Sequence, residues 1–91
     1  MWRALAIWIT ILNLSSTPLY DAMLVVEDEA IELGDIVIGE SRRVEIEDAD
    51  SVRVVFRLGD EWRGTDMLPV RDTIRIEDNT KTFEVEVDFF E

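Results

Sequence analysis

The longest clean alternation in the chain runs over residues 51–58. Val52, Val54, Phe56 and Leu58 fall on one side of an extended backbone, and Arg53, Val55 and Arg57 on the other. Successive side chains of a strand point to opposite faces, so this spacing predicts a strand with one face in a core. Residues 42–47 alternate the same way, with Val44 and Ile46 inward and Glu45 and Glu47 outward. Asp48, Ala49 and Asp50 form the turn between the two. If their apolar sides share a face, Glu45 or Glu47 stands opposite Arg53, a cross-strand pair worth about 0.2–1 kcal/mol. Residues 72–89 read as a second hairpin. Ile74 and Ile76 point inward on its first strand, and Phe83, Val85, Val87 and Phe89 on its second. Matching those faces pairs Ile76 with Phe83, sets Arg75 opposite Glu84, and leaves Asn79 and Thr80 as a two-residue turn; Asn tolerates the positive φ of such turns.

Upstream, residues 23–27 form a further strand. Two short β segments, 30–33 and 35–38, are divided by Gly34, and Gly39 ends the second. Residues 59–72 are the longest irregular stretch. Trp62, Met67, Leu68 and Val70 within it require that part of it pack down. No helical periodicity is present. Six to eight short strands with turn signals between them predict an all-β fold, a small antiparallel β-sandwich or partly open barrel.

Residues 1–14 are the apolar end of the chain, and 15–22 are a connector rich in Ser and Thr that leads into an acidic β domain over 23–91. The apolar run stops short of the roughly 20 residues that a spanning helix needs. Arg3 followed by an apolar stretch suits a secretory signal or short membrane anchor. The β-favouring run from Ile7 to Ile11 suits a buried strand, in this fold or in an assembly. Strand and helix both stay open for residues 4–12 at this level.

Composition narrows the function. At 91 residues there is room for one domain with a thin core. The chain has no cysteine and no histidine. It therefore lacks disulfides, thiolate metal sites, the commonest metal ligand and the usual general base. Asp and Glu number 21 against 9 Lys and Arg, for a net charge of −12. Such a balance disfavours binding to nucleic-acid phosphates or anionic lipid. Eight of the nine basic residues are arginine, and the acidic, arginine-over-lysine composition resembles that of proteins from salt-loving organisms.

Candidate chemistry is sparse. The carboxylates of residues 45–50 are of the type that holds Ca²⁺, but an EF-hand loop continues with a glycine and a twelfth-position glutamate that are missing here. Those residues read as a solvated turn, and Glu27, Asp28 and Glu29 likewise. The serines have no histidine to activate them. Hence the expectation is a protein that is not an enzyme, with no metal and no cofactor. The aromatic residues are the better candidates for contact with a partner. Trp2 and Trp8 share a parity, Trp62 lies in the irregular stretch, and Phe90 points away from the inward face that Phe89 continues.

Residues 55–64 carry Phe56, Leu58, Glu61, Trp62 and Gly64, followed by an apolar Val70. This run resembles a pattern in small β modules of tailed-phage tail and baseplate proteins, in which a strand reads roughly F-x-F-x-x-E-W-x-G. Leu58 departs from the usual aromatic. The resemblance implies a virion structural protein. With the missing catalytic groups, it sets the leading expectation: a structural subunit of a capsid or tail that meets other protein subunits, as a homo- or hetero-oligomer, through β contacts. On this reading residues 1–14 add to a neighbouring subunit. Two alternatives stand beside it. One is an exported or membrane-associated domain with a signal or anchor over residues 1–14. The other is an acidic inhibitor that mimics nucleic acid, which the interspersed arginines disfavour.

Overall fold

A computed structural model describes residues 6–47 and 49–86. Nine strands occur among them and no helix. They are β1 (Ala6–Asn13), β2 (Leu19–Val26), β3 (Glu29–Ile36), β4 (Ser41–Glu47), β5 (Ser51–Leu58), β6 (Glu61–Thr65), β7 (Leu68–Pro69), β8 (Thr73–Ile76) and β9 (Thr82–Glu84). They form two open sheets rather than a closed barrel. The smaller has the order β4-β1-β8, and the larger β3-β2-β5-β6-β9, with β7 paired to the start of β5. All pairs are antiparallel except β1 with β8.

The core lies between the sheets. Ile9 and Ile11 of β1, Ile46 of β4, and Ile74 and Ile76 of β8 are buried on one side. Leu19, Ala22 and Leu24 of β2, Ile36 of β3, and Val52, Val54 and Phe56 of β5 are buried on the other. The alternation of β5 is thus realised over the expected residues. The apolar N-terminal run is a strand, central in its sheet. Only one of its faces is sealed: Trp8 on the other is 48% exposed.

Several strand pairings differ from expectation, each for a physical reason. β4 and β5 do not pair. The chain changes sheet between them, so β4 lies against β1 and β5 between β2 and β6. Glu45 therefore faces Trp8 and Glu47 faces Ala6, while Arg53 stands across from Val25 and donates to the Thr65 carbonyl at 2.9 Å. The 72–89 hairpin is also replaced. The turn near Asn79 forms, with Thr80 N donating to Glu77 O and Glu77 N to Thr80 Oγ1, but it carries the chain from one sheet to the other. β8 joins β1 and β9 joins β6, so Arg75 lies beside Leu12 and Arg63 faces Glu84. Phe83 turns outward and is 45% exposed. Val87 and Phe89 lie outside the described residues.

Strand boundaries shift too. β2 begins at Leu19 rather than at residue 23. β3 runs unbroken through Gly34, where the register against β2 slips by a bulge. The irregular 59–72 stretch contains a tight hairpin, β5–β6, with Leu58 opposite Glu61. Gly59 takes a φ of +63° as the first of the two turn residues, the glycine position of a type II′ turn. After Thr65 the chain breaks from β5 and rejoins it as β7. At the break, the buried Thr65 hydroxyl accepts from Val54 N at 3.1 Å and replaces the lost ladder bond.

One side chain locks the sheets together. Asn13 is fully buried at the end of β1. Its Nδ2 donates to Thr17 O and to Ile36 O of the opposite sheet, both at 2.9 Å. Its Oδ1 accepts from Ser15 N at 2.9 Å and Ser15 Oγ at 2.6 Å.

Candidate interaction surface

Of the aromatic candidates, Trp2 and Phe90 lie outside the described residues. Trp8 and Trp62 are on the outer faces of different sheets, so the fold does not bring them together. Trp8 stands on the outer face of β1, with the Arg43 guanidinium 4.5 Å from its ring centre. That arrangement is a cation–π contact, worth about 0.5–1 kcal/mol at an exposed site. Trp62 is half-buried on β6, in register with Arg57 and, beyond it, Tyr20. Arg57 sits over the Tyr20 ring at 5.5 Å and pairs with Asp21 at 3.0 Å.

Other exposed apolar side chains had no distinguishing signal in the sequence. Val37 and Ile38 stand on the β3–β4 connection and Leu14 just after β1, and all three are exposed. A bond from Gly39 N to Asn13 O, 2.8 Å, joins these two segments at one end of the sandwich. Phe83 is exposed on the β9 edge. The register row Met23, Val55, Gly64, Phe83 puts it on the outer face of the larger sheet.

Five of the acids gather around one cleft. A cleft of about 680 Å³ opens between the β2–β3 turn and the end of β4. Glu27, Asp28, Glu29, Glu45 and Glu47 rim it over an apolar floor of Val26, Ile31 and Ile46. Among the described residues no group of three or more His, Cys, Asp or Glu is arranged to hold a metal ion. One carboxylate among the described residues is perturbed. Glu84 lies close enough to Glu61 to share a proton with it, and this hydrogen bond and the Glu61 charge push its carboxyl above the ordinary range. Arg63, opposite Glu84 in register and 3.6 Å from Glu61, pulls the other way.

No family model, curated protein or solved structure matches the chain. The functional signal lies in the surface itself. Its most extended polar feature is the outer rail of β4. Among the described residues β4 is an edge strand, hydrogen-bonded to β1 on one side. Ser41, Arg43, Glu45 and Glu47 are exposed along it. No ion pair engages Arg43, Glu45 or Glu47 among the described residues. The alternation of residues 42–47 signalled the strand, but only the sheet order makes it an edge.

Proposed function

We propose that this chain is a non-enzymatic structural subunit, a small acidic β-sandwich that works by joining other protein subunits through its sheet edges, in a virus particle. The observation that carries the reading is that both sheets are open. Among the described residues they end on β4 and β8 in one and on β3 and β9 in the other. An edge strand presents unpaired backbone donors and acceptors, a template for a further strand. The exposed Val37, Ile38, Leu14 and Phe83 add apolar surface of the kind that a neighbour covers. The absence of His and Cys from the sequence, and the resemblance of residues 55–64 to phage tail modules, support the same reading.

The role first expected for the N-terminal segment changes. β1 pairs with β4 and β8 of its own chain, so the contacts with neighbours fall to the edges instead. This placement also weighs against the exported-domain alternative, because a signal cut near residue 17 would remove the central strand of the smaller sheet. The test is the mass of the intact chain by light scattering at micromolar concentration and about 0.15 M salt, where charges are screened beyond roughly 8 Å. A defined oligomer is expected. A well-folded monomer that stays monomeric as concentration rises would overturn self-assembly as its role. N-terminal sequencing from the native host tests the alternative: a mature chain starting near residue 17 would favour export.

A further inference from the structure

The smaller sheet ends on a strand whose charges are complementary to a second copy of themselves. β4 reads Ser41, Arg42, Arg43, Val44, Glu45, Ile46, Glu47. We propose that two copies of this chain pair antiparallel through β4, about a two-fold axis at Val44, so that Arg43 of each copy faces Glu45 of the other. The inference rests on the assembly reading above and names the edge and the register.

Backbone geometry permits this contact. Thr10 N donates to Asp72 O and Leu14 N to Ile76 O, so the even-numbered amides of β1 face β8. Asn13 N donates to Glu40 O, so the odd-numbered amides face β4. Ile7, Ile9 and Ile11 therefore bond to their register partners Ile46, Val44 and Arg42. Amides alternate along a strand, so the N–H and C=O groups of Arg43 and Glu45 point away from β1 to the open side. With the axis at Val44, Arg43 and Glu45 of the partner form hydrogen-bonded pairs in both directions. Val44 meets its own copy on the core side. The Ser41 carbonyl accepts from Arg42 at 2.9 Å, so the contact centres on residues 43–45.

Charge selects the register. The two faces of the joined sheet match only if the axis passes through a residue. An axis at Arg43 or at Glu45 sets like charges against themselves. One at Ile46 sets Glu45 against Glu47, and one at Arg42 leaves Glu45 unmatched. An axis at Glu45 also brings Arg43 to Glu47, but only Val44 pairs opposite charges without setting any like pair. The other edges lack this property: β3 carries Glu29, Glu32 and Asp35 and no base, while β8 and β9 span four and three residues with one charge each. In the single chain the Arg43 guanidinium lies over Trp8 of β1, and pairing across the edge turns it from that ring towards the partner's Glu45.

The test uses the full chain and two single reversals, Arg43→Glu and Glu45→Arg, sized by sedimentation equilibrium near 0.15 M salt. The wild type is expected to dimerise. Each reversal creates two like-charge contacts and should weaken self-association at least about tenfold. The two variants mixed should form a heterodimer, because every 43–45 contact across it then joins opposite charges. The double variant R43E/E45R should regain the homodimer, which also shows that the substituted chains fold. An oligomer whose mass neither reversal alters, or variants that do not recombine on mixing, would overturn the β4 contact and leave assembly through another surface standing. A wild type that stays monomeric would overturn both.

Discussion

At the scale of single residues, the polar groups inside this protein decide more than their number suggests. Asn13 uses both ends of its amide to tie the end of β1 to a loop and to the opposite sheet. A buried group stripped of its partner costs about 1–3 kcal/mol, and Asn13→Leu takes its bonds from the Ile36 carbonyl and the Ser15 amide together, while Ser15 Oγ still donates to the Thr17 carbonyl. We expect a loss of about 3 kcal/mol in urea unfolding. From the sequence, Asn13 was only the polar residue that stopped an apolar run. The partners that give it its role lie 4 and 23 residues away. Glu84 behaves differently because it is exposed. Its raised carboxyl means that, above the ordinary carboxylate range, the folded chain still holds a proton that the unfolded chain has released. The associated stability is fully present below that range and is lost as pH rises through the raised value. Thermal melts across mildly acidic pH should show this decline in the wild type and a flatter profile in Glu84→Gln; equal profiles would dismiss the Glu61–Glu84 pair as its source.

At the scale of elements, β1 holds the smaller sheet together, since β4 and β8 meet no other strand of that sheet among the described residues. Ile9 and Ile11 on it are fully buried. Ile11→Ala should cost about 2–5 kcal/mol, the range for emptying a core site of this size. Removing residues 1–14 should abolish cooperative unfolding altogether, read as loss of a sigmoidal melt. A truncated chain that still melted cooperatively would show that the larger sheet folds alone. β5 was legible because its apolar residues alternate without a break. β6 was not: the side chains on its inward parity are Glu61, Arg63 and Thr65, satisfied by one another, Thr82 and Val54 rather than by apolar packing. Hydrophobic periodicity has nothing to register in such a strand. Phe83 misled for the opposite reason. Its alternation was sound, but β9 is an edge strand whose outer face stays open.

For the whole molecule, the net charge of −12 sets the background against which every contact forms. Repulsion among carboxylates opposes compactness and is screened by salt. We expect the melting temperature to rise between about 0.01 and 1 M NaCl, over which the screening length falls from roughly 30 to 3 Å. A flat response would mean that local pairs such as Arg57–Asp21 already neutralise the field. Pattern along the chain determined the fold class, the alternating faces of β4 and β5, and an acidic surface, because alternation and charge are local properties. Which strands pair was decided only by the tertiary structure. Val44 and Ile46 could have shared a face with Val52 and Val54 through a short turn. They pack instead beside Ile9 and Ile7, because two sheets facing one another enclose a core that one hairpin would leave open to water. That long-range choice puts β1 at the centre of its sheet and leaves β4, with its opposed charges, at the edge.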